Sequence, residues 1–377
     1  MSFPIILIRL LEQDEHFMRR AANLALKAFG ETSPNPLVGA ILVRNGQVVG
    51  QGWHHRAGFP HAEIEALRDA GRQGHSSEGA TLYVTLEPCS THGRTPPCTD
   101  AIIKSGIARV VAGATDPNPK HQGRGLALLR KAGIKVRAGV LADECAEINH
   151  AWNYFIVHRQ PFVTLKCAMT LDGKIATSRG ESKWITSAAS RSYAMKLRQS
   201  ADAILVGVNT VIADDPSLTI RDVPGTKKSL RRFILDPSGR IPRSVKVLSD
   251  AYAHLTTVVV GEKTRRADFS PAQTLRLPLD KEGLDLNAFL QQLGEESVTH
   301  LLVEGGGEVN AHFLRAGLVS RVVLFYAPKV IGGADARKAV AGPGIESLAQ
   351  AIQLKNPTWR RLGPDLVMEA APCYPTV

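Results

Sequence analysis

The sequence predicts an α/β protein made of two domains, and three observations point that way. At 377 residues the chain exceeds the usual size of a single domain. Short apolar runs rich in β-branched residues alternate with stretches of helical period, the pattern that lays helices against a sheet. One helical stretch ends at Gln160-Pro161, where proline disfavours helix for the residue before it, and the alternation then restarts. The expected division is a leader at 1–13, a first domain at 14–159 and a second at 160–377.

In the first half, Pro4 to Leu11 is too short, and too interrupted by Arg9, for a signal sequence or a membrane span. It reads as a disordered or docked leader. Asp14 reads as a helix N-cap, with Phe17, Ala21, Leu24, Ala25 and Ala28 at helical spacing up to Gly30. The rigid loop Thr32-Ser33-Pro34-Asn35-Pro36 leads into the apolar run Leu37 to Val43. Asn45-Gly46 then signals a hairpin with Gln47 to Gly50 returning. Helix is expected from His61 to Gly71, strand over Ala80 to Leu86, helix from Cys98 to Gly106 behind Pro96-Pro97, and strand over Arg109 to Gly113. Leu126 to Ala132 and Val136 to Val140 repeat helix then strand. Ala142 to Arg159 reads as one helix.

In the second half, Phe162 to Met169 is an apolar strand followed by the turn Leu171-Asp172-Gly173-Lys174 and Ile175-Ala176. Ser187 to Arg198 is a helix and Ala203 to Val208 a buried strand. Strands follow at Arg232 to Leu235 and Thr256 to Val260, then a helix at Leu284 to Leu293 and a strand at Val298 to Val303. Glu304-Gly305-Gly306-Gly307 leads into a helix over Val309 to Ala316, and Ser320 to Tyr326 closes the pattern. A mostly parallel sheet is expected.

Composition narrows the functional classes. The chain is 44% apolar and 21% charged, ordinary for a globular protein. Its formal net charge is +11, but no Lys/Arg run of five or more occurs, which favours attraction of small phosphorylated ligands over nucleic acid. Five cysteines, an odd number in a long chain, argue against a disulfide framework and for a reducing cytoplasm.

The densest chemistry lies in Pro60-His61-Ala62-Glu63 and in Glu87-Pro88-Cys89 with Cys98. Catalytic zinc sites use three protein ligands and keep a fourth position open. His61, Cys89 and Cys98 supply an imidazole and two thiols, and Glu63 stays free to move protons. Cys98 at a helix N-terminus ionises readily, as zinc binding requires. This is the donor logic of zinc deaminases, except that eight residues separate the cysteines instead of two. A structural zinc site would close with four ligands, and His92 is the one further candidate nearby.

With TSPNPLVGA (Thr32 to Ala40), PHAE (Pro60 to Glu63), EPCSTHGRTPPCTDAI (Glu87 to Ile102) and ATDPNP (Ala114 to Pro119), the first half resembles the deaminase half of the bifunctional riboflavin-biosynthesis deaminase/reductase family. The insertion between the cysteines is a mark of that family. The resemblance implies a cytidine-deaminase-like α/β/α domain in which Asn35 helps hold the pyrimidine, with His92, Gly93 and Arg94 near the substrate. Asn35 between two prolines also suits a simple turn, and Arg94 a solvated surface.

VEGGGEVN, LKCAMTLDGKIA, GESKWITS, LRQSADAILVGVNTV and ADDPSLTIR resemble the reductase half of the same family. Alone, a triple glycine is a weak phosphate-loop signal. The resemblance implies a dihydrofolate-reductase-like α/β domain that uses NADPH. It places the substrate's ribosyl phosphate among Ser182, Arg198, Leu218, Arg221 and Glu304, and the cofactor against Ala168, Trp184, Thr210, Asp214 and Gly306. Trp184 as core and Asp214 as a turn cap are the plainer readings. Lys166 and Asp214 are candidate proton donors. The implied reactions are zinc-dependent deamination of 2,5-diamino-6-(5-phosphoribosylamino)pyrimidin-4-one and NADPH-dependent reduction of its ribosyl chain to ribityl. A homo-oligomer with no nucleic-acid or membrane partner is expected.

Two other classes compete. A zinc deaminase that edits nucleic acid needs an aromatic stacking surface or a concentrated basic patch, and 6% aromatics without such a patch speaks against it. A degenerate scaffold is disfavoured by the intact VEGGGEVN and ADDP segments. No charge rule in the sequence decides NADPH over NADH.

Overall fold

Helix α1 (Phe3–Ala25) begins eleven residues before Asp14, so the expected leader belongs to a helix and Asp14 is not its cap. Asp14 is instead a buried mid-helix carboxylate. It accepts a hydrogen bond from Tyr83 Oη at 2.9 Å, two from Arg109 at 2.9 and 2.6 Å, and one from Arg137 at 2.6 Å. The computed structural model describes residues 3–92, 96–226, 228–281 and 283–375, with 3–10 as backbone only. The chain divides into two compact units, Met1–Arg159 and Gln160–Val377.

The first unit continues with β1 (Gly39–Arg44), β2 (Gln47–Trp53), α2 (Ala62–Arg72), β3 (Thr81–Leu86), α3 (Cys98–Lys104), β4 (Arg109–Ala114), α4 (Arg124–Lys131), β5 (Lys135–Arg137), α5 (Ala142–Glu147) and α6 (His150–His158). Asn45 and Gly46 both take positive φ, 51° and 76°, as the tight β1–β2 hairpin requires. The sheet order is β2-β1-β3-β4-β5, antiparallel through β1 and parallel from β3 to β5.

Period-two alternation splits the strand residues between the two faces. Ala40, Leu42, Leu82 and Val84 pack with Ala62, Ala66, Ile102 and Leu129 of α2, α3 and α4. Ile41, Val43 and Tyr83 pack with Phe17, Ala21 and Cys145 of α1 and α5. The result is an α/β/α sandwich. The expected single helix over 142–159 is two helices, because Asn149 is drawn aside: its amide makes two 2.8 Å bonds with the backbone of Leu37. Strand β5 is also shorter than Val136 to Val140.

The second unit comprises β6 (Phe162–Thr170), β7 (Lys174–Ala176), α7 (Ala188–Ser200), β8 (Ala203–Gly207), α8 (Val208–Asp214), β9 (Arg231–Leu235), α9 (Lys246–Ser249), β10 (Thr256–Gly261), β11 (Gln273–Leu277), α10 (Leu286–Glu295), β12 (His300–Val303), α11 (Gly307–Arg315), β13 (Arg321–Ala327), β14 (Arg337–Lys338), β15 (Gln353–Leu362) and β16 (Asp365–Cys373). Its sheet runs β11-β10-β9-β8-β12-β6-β13-β16-β15, and β14 pairs separately with β7. From β11 to β13 every neighbour is parallel; β16 and β15 add an antiparallel edge. The pattern therefore does not close at Tyr326 as expected.

Both faces of the central parallel strands are covered, so β8 and β12 are buried throughout and read as apolar runs. One face packs on Phe289, Leu293 and Phe313 of α10 and α11. The other packs on Val211 and Val247 of α8 and α9. The carboxyl ends of β8, β9 and β12 meet at the entrances of α8 and α11, where open α/β sheets bind ligands. Among the described residues no helix is long and apolar enough to cross a membrane.

Candidate active sites

Helix α2 can approach the first sheet closely because β2 offers glycines there. A Cβ on Gly50 or Gly52 would fall 2.4 Å from the Ala66 backbone. That packing fixes His61 at the N-cap and Glu63 in the first turn. Cys98 is the first residue of α3, capped by Pro97. Cys89 follows β3, and its Sγ accepts the backbone N–H of Cys98 at 3.3 Å. Glu87 clamps the loop beside it by accepting the N–H groups of Asp116, Gly123 and Gly125 at 3.2, 2.9 and 2.9 Å.

These placements bring three donor atoms together. His61 Nδ1 lies 3.2 Å from Cys98 Sγ and 3.5 Å from Cys89 Sγ, and all three sit within 4.8 Å of one another. Tetrahedral zinc with nitrogen and thiolate ligands at their usual bond lengths separates neighbouring ligand atoms by about 3.5–3.8 Å. The residues fit zinc. Hydrogen bonds from the Cys98 thiol, then from His61 and the Cys98 N–H, outweigh burial and bring the Cys89 thiol down to about 4. Of this hydrogen-bonded pair Cys89 ionises first, while the bond to Cys89 and then burial push the Cys98 thiol up, against the ready ionisation expected at its helix entrance.

Glu63 is only 3% exposed and stands beside this cluster, in hydrogen-bond reach of Cys98. Burial first, and then the Cys89 thiolate, push its carboxyl up to about 7, with His61 opposing. Asn35 is held by a residue with no motif in the sequence. His54 Nδ1 donates to the Pro60 carbonyl at 3.0 Å, which leaves Nε2 to accept from Asn35 Nδ2 at 3.1 Å. Burial holds His54 below the ordinary histidine value, keeping it in this neutral form. The Asn35 carbonyl oxygen is thereby turned away from His54. His92 is exposed, while Gly93 and Arg94 lie outside the described residues.

In the second unit a cavity of about 650 Å³ opens at the strand ends. Thr210, Asp214 and Gly306 line it, and so does Ser182, whose hydroxyl donates to Asp214 Oδ1 at 2.9 Å. The three glycines differ in what they allow. A Cβ on Gly305 would strike Val309 at 2.6 Å and one on Gly307 the Lys338 carbonyl at 2.3 Å. A Cβ on Gly306 would meet nothing nearer than Thr210 Oγ1 at 3.5 Å, so its bare backbone faces open space at the start of α11. A phosphate-bearing cofactor suits that cradle.

Arg198, Glu304 and Arg221 form a second group outside the cavity lining. Arg198 Nε and Nη2 donate to the two Glu304 oxygens at 3.0 Å each, and Nη1 to the Thr219 carbonyl at 2.7 Å. Lys166 Nζ lies 3.9 Å from the same carboxylate. Burial alone would raise the Glu304 carboxyl; Arg198, Lys166 and Arg221 instead bring it down to about 2. Leu218 is buried with φ at 52°, uncommon for a leucine. Ala168 packs on Val323, Phe325 and Val367. Trp184 is 63% exposed beneath the Arg191 guanidinium at 4.5 Å, so it is not core, and neither it nor Ala168 lines the cavity.

Residues 161–368 match the family described as the RibD C-terminal domain, and residues 11–114 the cytidine and deoxycytidylate deaminase zinc-binding region. The chain is 46% identical over 357 residues to the riboflavin biosynthesis protein RibD of Aquifex aeolicus, covering 95% of this chain and 98% of that one. To RibD of Escherichia coli it is 40% identical over 368 residues, covering 94% and 98%. RibD of Acinetobacter baumannii superposes with a TM-score of 0.86 at 35% identity, over 96% of this chain and 99% of that one. A Thermotoga maritima protein described as a diaminohydroxyphosphoribosylaminopyrimidine deaminase/5-amino-6-(5-phosphoribosylamino)uracil reductase gives 0.85 at 36% identity over the same shares.

Proposed function

The chain belongs to the RibD family of bifunctional riboflavin-biosynthesis enzymes, and from that premise we propose how its residues divide the two reactions. It is a zinc-dependent deaminase in its first domain, 14–159, and an NADPH-dependent reductase in its second, 160–377. Its substrate is 2,5-diamino-6-(5-phosphoribosylamino)pyrimidin-4-one, which loses ammonia before its ribosyl chain is reduced to ribityl. The observation that carries this division is the meeting of three ligand atoms beside a buried carboxylate that ligates nothing.

His61, Cys89 and Cys98 hold the zinc. Zinc bound there supplies a water acidic enough to ionise near neutral pH. Glu63 takes a proton from the attacking oxygen and passes one to the departing ammonia, work that suits a carboxyl poised near neutrality. Asn35 receives the pyrimidine, and because His54 occupies its amide nitrogen, its carbonyl oxygen accepts an N–H of the ring or its amino groups.

In the second domain NADPH supplies the hydride. Gly306 and Thr210 take the cofactor, and Ser182 and Asp214 mark the border between cofactor and sugar. Arg221 meets the ribosyl phosphate directly; Arg198, with its fork engaged, holds Glu304 towards the sugar. Ala168 and Trp184 are assigned to the cofactor and Leu218 to the sugar phosphate by the family resemblance alone, since none of the three lines the cavity.

The five cysteines are free of disulfides, which suits a cytoplasmic enzyme with thiolate ligands. The chain associates with copies of itself. Support comes from β15, exposed along nearly its whole length with Leu354 and Trp359 at the surface, an edge that proteins normally cover. A light-scattering mass of a single 40.7 kDa chain would refute the association.

The deaminase assignment is tested with Cys98→Ser. Purified without chelator, the parent chain carries one zinc and releases ammonia from the diaminopyrimidinone, whereas Cys98→Ser loses both and still binds NADPH. Full zinc occupancy in Cys98→Ser would overturn the ligand assignment.

A further inference from the structure

We propose that Arg240 is the residue by which the second domain tells NADPH from NADH, its guanidinium taking the 2′-phosphate of the adenosine ribose. The inference rests on the reductase reading above. In open α/β sheets a dinucleotide lies across the carboxyl ends of the parallel strands, with its pyrophosphate at a helix N-terminus. The adenosine ribose is then read from the end of a neighbouring strand. An acidic residue there bonds a free 2′-hydroxyl, whereas an arginine accepts a 2′-phosphate.

Here the Gly306–Gly307 entrance to α11 follows β12, and β8 separates β12 from β9. Two strand spacings put the end of β9 about 9–10 Å from the pyrophosphate position, a step that an adenosine ribose bridges. The first side chain beyond β9 is acidic, Asp236, but it is not offered to the cavity. It is 0% exposed, its Oδ2 accepts the Ile241 N–H at 2.7 Å, and its carbonyl accepts the Gly239 N–H at 3.0 Å. Asp236 is occupied in building the turn from 236 to 241.

That turn is fixed from the other side as well. Gly239 has φ at 70°, a Cβ there would fall 2.6 Å from the Arg266 carbonyl, and Arg266 Nη2 donates to the Ile241 carbonyl at 2.9 Å. The charged group the turn presents to the cavity is Arg240. Its Nη2 donates to Asn209 Oδ1 at 3.0 Å, which orients the fork. A carboxylate withdrawn and an arginine presented is the arrangement that favours the phosphorylated cofactor.

The other cations around the cavity stand elsewhere. Arg337 and Lys338 belong to the β14–β7 ribbon, and Arg315 to the far end of α11, roughly 12 Å along the helix from its entrance. None of these three stands at the end of a parallel strand.

The test is direct binding, with no turnover. The full-length protein and its Arg240→Ala and Arg240→Lys variants are titrated with NADPH and with NADH, following nucleotide fluorescence. The parent should prefer NADPH. Arg240→Ala should lower the ratio of NADPH to NADH affinity by about 10- to 100-fold, the worth of a charge-assisted contact to a phosphate. Arg240→Lys, which keeps the charge but not the fork, should fall between. An unchanged ratio in Arg240→Ala, an equal loss for both nucleotides, or a parent without preference would each overturn the inference. A parent that binds neither nucleotide would overturn the reductase reading itself, and the inference with it.

Discussion

Replacing Glu304 by glutamine removes the one negative charge on which three cations converge. Arg198 grips both oxygens at 3.0 Å, Lys166 stands at 3.9 Å, and Arg221 adds its field. The carboxylate is 12% exposed, so solvent screens it little. Its depression from 4.5 to about 2 corresponds to about 3 kcal/mol of stabilisation at neutral pH. Because the folded value is the lower one, that contribution is present in full above pH 4.5 and is lost as pH falls towards 2. Glu304→Gln should therefore destabilise the second unit by about 3 kcal/mol at pH 7, leaving the Arg198 guanidinium buried without its counter-charge. The gap between variant and parent should close on acidification. Hydrogen exchange of the β12 amides, read across a urea series at several pH values, measures it. A difference under about 1 kcal/mol at pH 7, or one that does not narrow in acid, would refute the reasoning.

Asp14→Asn should destabilise the first unit by on the order of 3 kcal/mol at pH 7, since it strands Arg109 and Arg137 side by side. Burial alone would raise this carboxyl, but the bonds from Arg109, Tyr83 and Arg137 hold it below the ordinary value, so this gap too shrinks in acid; urea titrations at neutral and acid pH check it. Gly307→Ala should abolish NADPH binding by forcing a Cβ to within 2.3 Å of the Lys338 carbonyl, and zinc content should stay whole. His54→Phe should raise the deaminase KM roughly tenfold or more, by freeing the Asn35 amide to turn. The more conservative His54→Gln should recover part of that loss in the same steady-state assay.

The cluster of His61, Cys89 and Cys98 was legible because the chemistry of a metal site dictates residue types. An imidazole and a thiol at helix entrances, with a second thiol just after a strand and a spare carboxylate beside them, have few other uses. The strands Ala203–Gly207 and His300–Val303 were legible because both sheet faces are buried and their sequences are apolar throughout. What escaped did so for physical reasons. Helix α8 continues the apolar run of β8 without a break in composition, so the strand expected over Ala203 to Val208 runs one residue into it and no helix is expected there. Strand β15, QLKNPTWRRL, is polar, exposed and bulged near its proline, and shows none of the expected alternation. The helical state of residues 3–13 was not legible because an apolar run without helical period gives no helix signal. Tertiary contacts decided Asn149, His54 and Arg240. Each acts through a partner distant in sequence: Leu37, Asn35 and Asn209 respectively.

NADPH oxidation with the diaminopyrimidinone ribosylamine phosphate, followed in the parent chain and in Glu63→Gln, tests the division of the two reactions most directly. The parent should release ammonia and then oxidise NADPH. Glu63→Gln should lose deamination by about 10²- to 10⁴-fold yet oxidise NADPH at the parent's rate when given the already deaminated pyrimidine. A Glu63→Gln chain that still releases ammonia at the parent's rate would contradict the central assignment.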